Sequence, residues 1–178
     1  MYPSLEEIKK ATKDAVSTVF SALLRDHPEN FYYVVLTTNG EASAPSFSAW
    51  SHEAFARESA NRSSRDAENM KWSYGDSPYF CYLEEAFFQV SELFSLRPPM
   101  VTSMSEDEWY AEYEFRLKAL EFAMAELDQE GLFGEGKQRE KLVINVEVMP
   151  PDWTNTERAK RLNPPNSLAA YLLENDQS

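Results

Sequence analysis

Two short runs rich in β-branched and aromatic residues, 31–38 (FYYVVLTT) and 141–148 (KLVINVEV), stand near opposite ends of a chain otherwise patterned for helices. Both read as strands of a small sheet, whose strand order the sequence leaves open. Asn39-Gly40 follows the first run as a strong hairpin signal. A return strand is expected within 42–50, with Pro45 at an edge or a bulge. In the second run Leu142, Ile144, Val146 and Val148 alternate with Val143, Asn145 and Glu147. Two clear strands and one or two weaker ones, separated by long helices, predict an α+β fold. It is a small, mostly antiparallel sheet packed against several α-helices in a single domain over 1–178. At 178 residues, folding buries roughly 70% of the unfolded chain's surface, enough for one core without a metal or disulfide staple.

The helices announce their starts. Ser4 with Glu7 and Ser105 with Glu108 each form a capping box, in which a hydroxyl and a carboxylate satisfy the free amides of a first turn. Leu5, Ile8, Thr12, Ala15, Val16, Val19, Phe20, Leu23 and Leu24 are expected to share one face of the first helix, which Asp26-His27-Pro28 ends. The second long helix runs from Ser105 to Gly131 with Trp109, Tyr113, Leu117, Leu120, Met124 and Leu127 inward. Between them, Ser51 opens a short helix that fades near Asn61, and a loop crosses to Lys71. Ser77-Pro78 suits an N-cap and first position for a helix carrying Phe80, Leu83, Phe87, Val90 and Phe94. Thr154 with Glu157 reads as a third capping box, and Asn163-Pro164-Pro165 separates it from a last helix around 168–173.

Charge limits the partners. Thirty acidic residues against seventeen basic ones give a net charge of -13, which disfavours general binding to nucleic acid or to anionic membranes. The single cysteine, Cys81, excludes an internal disulfide and a four-thiolate zinc site and fits a reducing compartment. The first residues lack a basic segment followed by an apolar one, so a cytoplasmic location is expected.

Catalytic signatures are scarce: two histidines, one cysteine, and no HExxH, GxSxG, GxGxxG or P-loop pattern. No catalytic residue, metal ligand or cofactor is assigned. The least ordinary segment is 71–79, where Trp72, Tyr74 and Tyr79 surround Gly75 and Asp76. It reads either as a recognition loop or as aromatic core with Asp76 and Ser77 as caps. The charge is uneven as well. From 105 to 130, nine acids including Glu108 and Glu112 face only Arg116 and Lys118. Such a helix either steers a basic partner or simply keeps the surface solvated.

The first helix running into Phe31-Tyr32-Tyr33-Val34-Val35-Leu36, the element Lys71-Trp72-Ser73-Tyr74, and the tail from Ala159 to Pro165 together resemble a bacterial family known as domain of unknown function 4303. That resemblance implies no activity, and it carries Trp72 and Asn163 as motif positions. Small acidic bacterial domains of this style are similar to the immunity proteins of toxin systems.

The leading expectation is a non-catalytic protein-binding module, of the immunity-inhibitor type, in which Glu108, Glu112 and the Trp72, Tyr74, Asp76, Tyr79 loop meet a basic protein. The alternative is an enzyme or small-ligand binder with an aromatic pocket near Trp72 and Cys81, a histidine being brought close by the fold. A homodimer built on exposed aromatics is the third reading.

Overall fold

The computed structural model describes residues 1–175. Helix α1 (Leu5–Asp26) leads into β1 (Phe31–Asn39) and β2 (Ser46–Ser51), followed by α2 (His52–Ser59) and α3 (Ser64–Met70). A 3-10 turn (Glu84–Phe87) precedes α4 (Phe88–Ser95), and the long α5 (Glu106–Gln129) follows. The short α6 (Gly136–Arg139), β3 (Val143–Met149), α7 (Trp153–Leu162) and α8 (Pro165–Asn175) complete the chain. The fold is α+β, with one three-stranded sheet among the described residues in the order β2-β1-β3.

The sheet is mixed. β2 returns antiparallel to β1, with Val34 opposite Ala49, while β3 lies parallel to β1, with Val35 opposite Asn145. A parallel neighbour requires a crossover, and the long helical stretch from α2 to α6 supplies it. Both faces of the central strand are covered, since Tyr32 to Thr38 are all buried. Trp50, Tyr33, Phe47, Ile8, Leu23 and Leu36 are the largest of the completely buried side chains in the continuous core beneath the helices.

Both capping boxes form as expected, at Ser4 with Glu7 and at Ser105 with Glu108. Three local expectations are corrected. Residues 77–83 do not start a helix: the Cys81 N–H is committed to the Phe47 carbonyl on β2, and Cys81 and Leu83 take left-handed backbone angles. Ser77 donates to the Ala49 carbonyl, so this segment covers the sheet edge and regular helix begins only at Phe88. Asp152, not Thr154, caps α7, accepting from the Thr154 N–H at 2.9 Å. Finally, α3 fills what reads as polar loop, started by Ser63 accepting from the Asp66 N–H. Among the described residues, no helix is long and apolar enough to cross a membrane.

Candidate functional site

β3 is an edge strand, yet its outer edge meets side chains in place of a fourth strand. Asn155 on α7 accepts from the Val148 N–H (2.8 Å) and donates to the Val148 carbonyl (2.9 Å). Arg158, one turn on, donates to the Val146 carbonyl at 2.7 Å. Asn163, just past α7, accepts from the Ile144 N–H (2.8 Å) and donates to the Ile144 carbonyl (2.6 Å). The alternation of the strand points Ile144, Val146 and Val148 backbone groups outward together, and the helix supplies a polar side chain for each. This clamp fixes α7 along β3, with α8 beyond it.

The other set of β3 side chains builds the floor of a cavity. Tyr33 on β1 and Tyr171 on α8 both donate their hydroxyls to Glu147 Oε1, the latter at 2.9 Å, and Asn145 Nδ2 reaches the same oxygen at 3.2 Å. Glu147 is only 8% exposed. Burial pushes its carboxyl above the usual carboxylate range, although the three donors pull against that shift. Burial also raises the Tyr33 and Tyr171 phenols, and the neighbouring Glu147 charge adds to the rise in both. Asn145 is fully buried, and its Oδ1 is the one buried side-chain polar atom without a hydrogen-bond partner among the described residues.

Above this floor lies a cavity of about 520 Å³ between the end of α3, the loop behind it, β3, α7 and α8. Trp72, Tyr74, Trp153 and Tyr171 contribute rings, while Glu68, Glu147, Asp152, Glu157 and Glu174 contribute carboxylates; among the described residues no lysine, arginine or histidine is part of the lining itself. Two of those acids already have ion pairs, Glu157 with Lys160 at 3.0 Å and Glu174 with Lys71 at 2.5 Å. Trp72 is fixed by its indole N–H to Glu174 at 2.7 Å and by edge-to-face contacts with Tyr32, Tyr33 and Tyr171. Trp153 is 73% exposed at the rim. An aromatic wall with excess negative charge suits a cation, through charge attraction and the negative faces of the rings.

A family model matches residues 8–164. The chain belongs to the family described as Domain of unknown function (DUF4303). No curated protein and no solved structure matches it. In this DUF4303 domain the match ends just before α8, the helix that contributes Tyr171 and Glu174 to the cavity.

The structure separates the residues singled out from sequence. Trp72 and Tyr74 are brought together at the cavity. Asp76 is exposed, 3.8 Å from Arg62, and points to no part of it. Tyr79 is buried, donating to Glu29 at 2.7 Å and accepting from Arg57 at 3.2 Å, which makes it a core residue of the DUF4303 domain and not a recognition ring. Asn163 is a clamp on β3. Cys81 is half-buried beside β2 and, like His27 and His52, lies outside the cavity lining, so the expected pairing of Trp72 with a thiol and a histidine does not form.

Glu112 and Glu108, expected to face a basic partner, are both engaged within the fold. Glu112 is 5% exposed and lies between Arg97 and Arg116, the latter at 2.8 Å. Burial alone would raise its carboxyl, but the two guanidinium groups outweigh that and hold it below the usual range. Glu108 is occupied in the capping box. Glu121 pairs with Arg161, Glu126 with Lys9 and Lys13, Glu130 with Lys13, and Asp128 with Arg139. Most of the charge on α5 of the DUF4303 domain therefore binds its own fold. Sequence reading passed over Glu147, Tyr171 and Trp153. The available signal was two polar residues, Asn145 and Glu147, on one face of an otherwise apolar strand.

Proposed function

We propose that this domain is a non-catalytic binding module for a basic protein, and that the partner places a cationic side chain in the Trp72–Tyr171 cavity. The observation that carries the reading is the cavity lining: four rings and five carboxylates, of which Glu157 and Glu174 are paired with Lys160 and Lys71, so that negative charge remains in excess. The exposed Trp153 at the rim extends the contact outward as an aromatic anchor of the kind that dominates interfaces. Its action is occlusion, the partner's basic group being covered and held. Against a toxin whose working surface is basic, that occlusion makes the domain an immunity-type inhibitor, placed in the bacterial cytoplasm where a lone thiol stays reduced.

The test uses an unstructured fluorescent peptide carrying several arginines, with a glutamate-bearing peptide as its control. Saturable binding of the arginine peptide, weakened by salt and by Glu68→Lys or Trp153→Ala, supports the reading. Equal binding by wild type and both variants removes the cavity from it.

A further inference from the structure

Glu147 is a buried carboxyl with no counter-ion among the described residues. Among the described residues no lysine, arginine or histidine reaches ion-pair distance of it. The nearest candidate, Arg158 on α7, spends its guanidinium on the Val146 carbonyl and on Asn155 Oδ1. The other buried carboxylate among the described residues, Glu112, has two arginines, and the half-buried Glu29 has Arg57. A carboxylate removed from water is costly unless paired, and burying one in an apolar core brings no gain that a leucine would not. Its position is nevertheless fixed by three donors on a single oxygen, and the residue lines the cavity from below. Asn145 beside it carries the orphaned buried oxygen, an unsatisfied acceptor in the same layer.

We propose that Glu147 is the buried counter-ion for one arginine side chain of the partner, whose guanidinium enters the cavity that Trp72, Tyr171 and Glu147 line and reaches its floor beside the packed Trp72 and Tyr171 rings. This rests on the reading above and names the group that enters. A guanidinium fits better than an ammonium on three counts: it is planar, more weakly hydrated, and stacks on aromatic faces while donating at its edge. The carboxylates at Glu68 and Asp152 near the mouth guide the charge inward.

The pairing carries a proton signature. Around Glu147 stand Tyr33 from β1, Asn145 from β3, Arg158 from α7 and Tyr171 from α8, with Glu68, Asp152, Glu157 and Glu174 sharing the cavity. Burial favours the protonated carboxyl in the empty cavity, whereas a cation favours the ionised one, so binding releases a proton and weakens in acid.

The experiment titrates the full chain with N-acetyl-arginine amide, with methylguanidinium and tetramethylammonium ions as comparison probes, for wild type and Glu147→Gln. The expected result is saturable binding of the arginine probe, weakened about tenfold or more by E147Q, and weakened by acid more steeply in wild type than in E147Q, which keeps the other four cavity carboxylates. Tighter binding of the free ions than of the arginine probe would assign the cavity to a small cation and overturn the side-chain proposal. Equal affinity of wild type and E147Q overturns it as well. If E147Q is misfolded by circular dichroism, the wild-type acid dependence decides, and its absence rejects the proposal. Failure here while Trp153→Ala still weakens the arginine peptide leaves the binding-module reading standing and removes only Glu147 from it.

Discussion

Asn163 binds Ile144 as a neighbouring strand would, one amide oxygen on the Ile144 N–H at 2.8 Å and one amide nitrogen on its carbonyl at 2.6 Å. The same oxygen also accepts from Arg139 at 3.0 Å, tying α6, β3 and the end of α7 at one point. Removing the amide strands several buried groups together. Asn163→Ala is expected to lower stability by about 2–4 kcal/mol, read as a lower urea midpoint with an unchanged m-value. Asn163→Asp, which keeps an acceptor and loses the donor to Ile144 and Ala159, is expected to destabilise as well.

Glu112 joins Arg97 and Arg116 where none of the three is exposed. Glu112→Ala leaves the buried Arg116 and the half-buried Arg97 without their shared carboxylate, and a loss of about 3 kcal/mol is expected in denaturant unfolding. The carboxyl is held below its ordinary value of 4.5, so its stabilisation is present above that value and is lost as pH falls through the lowered one.

Glu147 has the opposite sign. Its carboxyl is raised above 4.5 in the fold, so its contribution is greatest below that value and is lost as pH rises through the raised one. Glu147→Gln removes this loss. Urea unfolding across the pH range is expected to show the variant gaining on wild type as the solution leaves the acid region, with the gain constant once Glu147 is fully ionised.

Trp153 separates binding from stability. Its side chain is mostly in solvent, so Trp153→Ala is expected to change stability by no more than about 0.5 kcal/mol while weakening the arginine peptide. A large drop in melting temperature would instead make the residue part of the core.

What the sequence makes legible is what local physics decides. The runs at 31–38 and 141–148 become β1 and β3, and the boxes at Ser4 and Ser105 start α1 and α5, because a strand's composition and a first turn's caps are local. Residues 77–83 escape such reading, since the Cys81 N–H is taken by Phe47, far away in sequence. The acidity of α5 misleads for the same reason: Lys9 and Lys13 come from α1, Arg139 from α6 and Arg161 from α7. Trp72 stands out by its aromatic neighbourhood, whereas Glu147 looks like the solvent side of an alternating strand until α8 and Tyr33 close over it.

The central claim is that a basic group enters between Trp72 and Trp153. The most direct measurement follows the indole N–H signals of the full chain by two-dimensional NMR during titration with the arginine peptide. The account predicts saturable shifts of Trp72 and Trp153, reduced by salt, with the signals of Trp50 and Trp109 still. Shifts confined to α5, or none at either cavity tryptophan, would contradict it.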